Sequence, residues 1–590
     1  MSNENKQVAG AEAGMEKYFF RASAKDFERI PGQPIGYWAS DDTLKCFDFP
    51  SLKLAGEIRQ GLLTSDNYRF LRRWHEVSNS RCGFKFKRDQ AKDSGRRWFP
   101  INKGGDYRKW YGNLEFVVDW EDDGKLLHET IVKKYPYLNG NSGLVLKKTN
   151  PYFEPAVTWT DISSAYFGAR MMPAGMLYEK GGSCAYAKDL FELVGYFCSK
   201  LSTHFLHILS PTLHFQVGDV GSLPYREGAI DTAAAHGNIV PAIEFSQKDW
   251  DSCETSWDFT RLPLLQLDYR QPTLKHTYQK LRDNWQAMTQ EMQRLEEENN
   301  YIFIEAYGLQ DELTSEVPLK EVTLTCNPHY RYGGNKTEAE LETQLRSDTM
   351  SELLSYAVGC MFGRYSLDKP GLVLANQGDT LAEYLRQVPE PRFMPDEDNL
   401  IPLLDGEWFA DDVTERFRTF LRVTFGEEHY EENLAFIEAS LGKDVRKYFI
   451  KDFYTDHVKR YKKRPIYWLF ASPKGTFSAL IYLHRYRTDT VSVVLQYLRD
   501  FRKKLAARLD YLQQVGISTS ASQGEKTRAL KEIETLKKQL LELDDYERDT
   551  LYPLATEQVP LDLDDGVKVN YLKLGSALKK IVGLDAKGED

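Results

Sequence analysis

Three stretches of this chain place apolar side chains three and four residues apart, the spacing that lines one face of an α-helix. In the first, Tyr278, Leu281, Trp285, Met288, Met292 and Leu295 recur among Glu and Gln, which predicts a long helix over 274–306. Two more follow over 490–512 and 525–552. The Ser- and Thr-rich run 516–524 would join that pair as an antiparallel hairpin.

Elsewhere the period shortens. Between 98 and 146, short β-prone runs are broken by Gly, Asn and Asp; the run 114–120 ends at the turn Asp122-Asp123-Gly124. A second β-rich stretch covers 158–215, interrupted by an apolar helix predicted over 187–209. Thr64, Ser65 and Asp66 offer caps for a helix over 67–77. Residues 321–470 read as mostly helical with short aromatic strands. The pattern predicts an α+β multidomain protein: a leader over 1–16, a β-rich domain over 17–265, a helical spacer over 266–320 and a mostly helical domain over 321–590. A length of 590 residues allows about three or four packed units.

Composition narrows the class. No run of about 18 apolar residues occurs, so no membrane-spanning helix is expected. The polar start lacks a signal-peptide pattern. Seven scattered cysteines, none at Cys-x-x-Cys spacing, argue against disulfides and zinc, and with the missing signal they point to a reducing cytoplasm. No histidine cluster stands at ligand spacing, so no metal is expected.

The net charge of −10 speaks against nucleic acid, but the charge is segregated. Ten basic residues and three Asp lie between Arg81 and Trp110. Within and just beyond that stretch, Arg96, Arg97, Lys103, Arg108 and Lys109 suit phosphate neutralisation, and Asn102 and Asn113 suit phosphates or adenine edges. The competing assignment is a hairpin with Trp98, Trp110 and Tyr111 in its core. A second cluster puts Lys459, Arg460, Lys462, Lys463 and Arg464 within six positions, followed by Tyr467 and Trp468. It suits a phosphate clamp or a partner's acidic surface, or else a helix end complementing the macrodipole before Pro465. The acidic runs Asp396-Glu397-Asp398 and 562–565 read as solvated loops or caps rather than a magnesium nuclease site.

Longer strings carry a resemblance. Gly61-Leu62-Leu63-Thr64-Ser65-Asp66, Trp98-Phe99-Pro100-Ile101-Asn102-Lys103-Gly104-Gly105, Tyr307-Gly308-Leu309-Gln310-Asp311, Gly359-Cys360-Met361-Phe362-Gly363-Arg364-Tyr365-Ser366 and Lys462-Lys463-Arg464-Pro465 look like the C-terminal half of the PglX family. PglX proteins are adenine-specific DNA methyltransferases of type 1 BREX phage defence. The family's catalytic part carries a glycine-rich S-adenosylmethionine loop and Asn-Pro-Pro-Tyr, which grips a flipped adenine. This chain has no Asn-Pro-Pro-Tyr; its nearest strings are Asn150-Pro151-Tyr152 and Asn327-Pro328-His329-Tyr330, which read as turns.

The resemblance therefore implies a target recognition domain within 17–265, reading base edges in double-stranded DNA. Thr158 to Arg170 resembles its opening, with Ser163, Ser164 and Arg170 as candidate contacts. The implied partners are double-stranded DNA, a methyltransferase catalytic domain or subunit, and other BREX proteins. S-adenosylmethionine is the family's cofactor, but none is expected in this chain, which by itself should bind DNA and transfer no methyl group.

Overall fold

A computed structural model describes residues 23–163, 166–230 and 232–584. The leader expected over 1–16 and the candidate contact Ser164 lie outside the described residues.

The first sheet runs in the order β1 (Glu57–Arg59), β8 (Cys184–Tyr186), β5 (Ala156–Trp159), β6 (Ala169–Met172), every neighbouring pair antiparallel. The second has the order β2 (Leu71–Arg73), β4 (Phe116–Asp119), β3 (Trp98–Asn102), β7 (Leu177–Tyr178), with only β3 and β7 parallel. Alternation along β5 explains the packing of the first sheet. Val157 and Trp159 enter one core, and Ala156 enters the core shared with the second sheet. Helices α1 (Leu190–Cys198), α2 (Lys200–Leu209) and α3 (Thr232–Trp250) follow this β-rich region.

Helix α4 (Leu274–Tyr307) is the predicted long helix, capped by Thr273 and closed by Gly308 at φ 71. Its 34 residues span about 50 Å. The N-terminal end, through Leu274, Tyr278 and Leu281, belongs to the core of the C-terminal region. The other end, through Met292, Leu295 and Phe303, belongs to the core on the β5 side. Its apolar face thus joins the two cores.

The C-terminal half packs α5 (Glu338–Met361), α6 (Val413–Phe425) and α7 (Tyr430–Leu441) against a small antiparallel sheet, β10 (Tyr467–Ala471), β11 (Ser478–Tyr482), β9 (Ile401–Pro402). Both faces of β10 are buried. Tyr467 and Leu469 face the α5–α7 core, while Trp468 and Phe470 face the core of the last helices. Helix α8 (Tyr454–Arg460) leads into this sheet. The hairpin is present as α9 (Thr490–Ile517) and α10 (Gln523–Tyr546), with Ser522 and Glu525 forming the capping box of α10. None of the described helices is long and apolar enough to cross a membrane.

Two predicted elements differ. The helix over 67–77 is one turn, Asn67–Phe70, followed by β2. Leu71, Arg72 and Arg73 pair with Val118, Val117 and Phe116, so sheet pairing overrides the local helical pattern. The apolar helix over 187–209 breaks at Ser199, whose extended backbone (ψ 156) separates α1 from α2. The turn at Asp122-Asp123-Gly124 stands as expected, with φ of 51, 57 and 73. Such angles suit Asp and Gly and strain most other residues.

Candidate nucleic-acid interface

Strand β3 and the loop after it carry the candidates Asn102, Lys103, Arg108, Lys109 and Asn113. Its regular pairing with β4 buries Trp98, whose Nε1 donates to Asp564 Oδ1 at 2.7 Å. Arg97 donates to Asp119 Oδ2 at 2.9 Å and to Asp564 Oδ2 at 3.0 Å. Arg81 reaches the same Asp564 oxygen at 2.6 Å. Burial alone would lower the Arg97 guanidinium, but Asp119 and Asp564 outweigh it and raise its affinity for the proton. Asp564, from the run read as a solvated loop or cap, is 5% exposed and ties the second sheet to the C-terminal region, and Asp562 caps its backbone N–H.

The next residues turn inward too. Asn102 Nδ2 donates to Thr158 Oγ1 at 2.5 Å and to Gly182 O at 3.0 Å, while its Oδ1 accepts from Gly104 N at 3.3 Å. It shapes the Lys103-Gly104 turn, where Gly104 takes φ 84. Arg108 donates to Asp249 Oδ2 at 2.8 Å, Ser246 O at 3.2 Å, Tyr111 O at 2.7 Å and Thr325 Oγ1 at 3.1 Å. Lys109 pairs with Glu296, which also accepts from Trp110 Nε1 at 2.8 Å. Burial raises the Glu296 carboxyl even against the opposing pull of Lys109 and Trp110. Arg170 is 1% exposed, donates to Arg108 O and Thr160 Oγ1 at 3.2 Å, and is pushed down by burial to about 10. Ser163 is buried and donates to Tyr166 O at 3.0 Å.

Of that segment, Arg96, Lys103 and Asn113 keep part of their surface. Lys103 Nζ sits 5.2 Å from the centre of the Phe116 ring. Asn113, at φ 59, donates to Asp106 O at 2.8 Å.

The second cluster divides the same way. Arg460 donates to Glu254 Oε1 at 2.9 Å, which with Glu352 raises its proton affinity against the cost of burial. Arg464 is 4% exposed and lies 3.9 Å from Glu76. Lys459, Lys462 and Lys463 are exposed. Lys462 Nζ reaches Glu115 Oε1 at 2.8 Å and Asp106 Oδ2 at 4.0 Å. Glu115 also accepts from Arg73 Nη1 at 2.6 Å. Burial would raise the Glu115 carboxyl, but Arg73 and Lys462 hold it below its ordinary value.

The two basic segments, some 350 residues apart in sequence, therefore meet at Glu115. Beside this junction a cleft of ≈320 Å³ opens between Thr255, α5 and α8, with Lys459 and Arg460 on its wall. Of the candidate DNA contacts, Asn102, Arg108, Lys109, Ser163, Arg170 and Arg464 are buried, Arg97 and Arg460 are half-buried, and all are bonded within the fold. Their partners were invisible in the sequence. Arg108 and Asp249 are 141 positions apart, Lys109 and Glu296 187, and Arg460 and Glu254 206. No local spacing signals such pairs.

The two near-matches to Asn-Pro-Pro-Tyr are structural. Asn327 is fully buried; its Oδ1 accepts from His329 N, and its Nδ2 donates to Leu319 O and Val322 O. Asn150 Nδ2 donates to Gln60 O at 2.8 Å. Neither amide is free to grip an adenine, so these residues do not fit the family's S-adenosylmethionine-dependent site.

No family model matches the chain. It is 36% identical over 580 residues to "Adenine-specific methyltransferase BrxX" of Escherichia coli O9:H4 (strain HS), covering 94% of this chain and 45% of that protein. It is also 36% identical over 592 residues to "Adenine-specific methyltransferase PglX" of Lacticaseibacillus casei (strain Zhang), covering 96% of this chain and 46% of that protein. The chain spans about half the length of these curated relatives. The resemblance to the PglX family read from the sequence is thus borne out.

Proposed function

We propose that this chain is the DNA-recognising part of a PglX-type adenine-specific methyltransferase acting in BREX phage defence. One observation carries the reading. Nearly all of the chain matches such methyltransferases, over only about half their length, and the chain has no Asn-Pro-Pro-Tyr. Recognition and methyl transfer would then be divided. This part holds the duplex, and a catalytic domain or subunit flips the adenine and draws the methyl group from S-adenosylmethionine.

The surface offered to a duplex is narrower than the sequence implied. Lys459, Lys462 and Lys463, with the part-exposed Arg96 and Lys103, are the candidate cations that keep surface for phosphate contacts. Interior cations such as Arg108 and Lys109 set the shape of the loops instead. Base-reading side chains would come from the exposed loop tips, where Ile162 and Tyr166 protrude.

The test is a salt titration of duplex binding, run beside a methyl-incorporation assay. Phosphate contacts release counter-ions, so affinity should fall by orders of magnitude between roughly 50 and 200 mM salt. No label should enter DNA from S-adenosylmethionine. Methylation by this chain alone would make it a complete enzyme. Absent or salt-indifferent DNA binding would favour the alternative, a protein-interaction scaffold, for which the exposed Tyr511, Ile517 and Leu530 on the α9–α10 hairpin speak.

A further inference from the structure

Away from the junction, three arginines converge on one cavity of ≈190 Å³. Arg261 and Arg270 come from the connector before α4, and Arg392 from the loop before β9; Leu265, Tyr356 and Leu367 form apolar walls. None of the residues lining it is acidic. Arg392 is paired, with Nε donating to Asp368 Oδ1 at 2.5 Å. Arg270 donates only to a carbonyl, Thr424 O at 2.7 Å, and its guanidinium lies 4.4 Å from the Phe425 ring. Arg261 makes a contact at the limit of hydrogen bonding, 3.5 Å to Leu367 O. Among the described residues no carboxylate lies within ion-pair distance of Arg261 or Arg270.

Thr424 belongs to the cavity wall, and its backbone carbonyl is the acceptor that Arg270 already uses. Like charges also face each other here. Burial first, and Arg392 next, make the Arg270 proton easier to lose. A fold that gathers guanidiniums without a lining acid carries a repulsive cost that an anion would relieve.

We propose that this cavity binds a phosphate group, held by the guanidiniums of Arg261 and Arg270, with Arg392, itself paired with Asp368, adding positive charge at the rim. Guanidinium forks match the tetrahedral oxygens of phosphate and give paired, charge-assisted bonds. The apolar walls leave room for the group that carries it. Two sources share that chemistry: a small free phosphomonoester and a backbone phosphate of a nucleic acid.

The full chain is titrated with inorganic phosphate and with adenosine monophosphate, at ionic strength matched with chloride, and binding is read by calorimetry and thermal unfolding. Duplex affinity is measured in parallel. Arg270→Gln and Arg261→Gln are compared with the parent chain. A free phosphomonoester site predicts saturable binding of adenosine monophosphate, weakened at least about tenfold in each variant, with duplex affinity unchanged. A backbone-phosphate site predicts weak phosphate binding and reduced duplex affinity in both variants. No binding of either probe beyond the chloride control, with duplex affinity also unchanged in the variants, overturns the proposal. Should Arg270→Gln fail to fold, Arg261→Gln decides, because its guanidinium contributes one long contact to the structure. Loss of duplex recognition by the parent chain would sink the proposed function and leave the phosphomonoester arm intact.

Discussion

Arg108 Nη2 and Asp249 Oδ2 meet at 2.8 Å, with side chains only 4% and 1% exposed. The same carboxylate accepts from the backbone N–H of Thr325 at 2.7 Å and of Cys326 at 2.9 Å. One interior acid thus ties the loop after β3 to α3 and to the segment after α4. Removing it would strand a buried guanidinium. Asp249→Ala is therefore expected to cost about 3–5 kcal/mol in urea unfolding. A near-neutral result would show that the pair is exposed to water in solution. Duplex affinity of the molecules that remain folded should be unchanged.

The exposed lysines should behave in the opposite way. Lys459→Glu and Lys463→Glu leave the interior intact, so the unfolding midpoint should hold, whereas Lys462→Glu removes a partner of the buried Glu115 and should lower it. Duplex affinity should drop for all sequences alike, and each lost phosphate contact should flatten the log–log salt slope by roughly one unit. Lys462→Glu carries a further signature, since it places a second carboxylate beside Glu115. Loss of preference for one sequence, with general affinity kept, would show that these lysines read bases.

The contrast between these two predictions marks what was legible in the sequence. Helix α4 and the α9–α10 hairpin could be read directly because their apolar spacing is local and repeats over many turns. Strand β2 could not, because its conformation is set by Val117 and Val118 more than forty residues away. The basic segments were correctly seen as dense in cations. Which of those cations face water depends on Asp249, Glu254, Glu296 and Asp564, and each is brought in by tertiary packing from a distant part of the chain. Charge density in a sequence records cations, not their partners.

Asp396 supplies a pH test. Burial, and then the neighbouring Asp398, push its carboxyl from the ordinary 3.8 up to about 7. A raised acid means that the folded state binds the proton more tightly than the unfolded chain. Stability from this group is therefore greatest at low pH and declines as pH rises from the unfolded value through the folded one. Asp396→Asn keeps an oxygen for Leu400 N, which Asp396 Oδ1 meets at 3.0 Å. The variant should gain stability near pH 8 relative to the parent chain and lose part of the decline between about pH 5 and pH 8. Identical profiles for the two proteins would show that Asp396 ionises normally.

Arg364 sits at the end of the Gly359–Arg364 part of the string that resembles the PglX family, fully buried, with no carboxylate in hydrogen-bond contact among the described residues. Its charge is met by phenols. Nη1 donates to Tyr482 Oη at 2.8 Å and Nε to Tyr365 Oη at 3.2 Å, while Tyr482 Oη in turn donates a hydrogen bond to Leu374 O at 2.9 Å. The arrangement needs Tyr365 close to the α5 backbone, and a Cβ on Gly359 would come within 2.5 Å of that ring. Tyr482→Phe deletes one hydroxyl and nothing else, leaving a buried cationic N–H without its acceptor. It should cost about 1–3 kcal/mol in urea unfolding, with duplex binding of the folded fraction unchanged. Gly359→Ala should destabilise by a similar amount through overpacking, and pairing it with Tyr482→Phe should cost less than the sum, because both loosen the same cage. Strict additivity of the two would mean that the glycine and the tyrosine serve separate parts of the core.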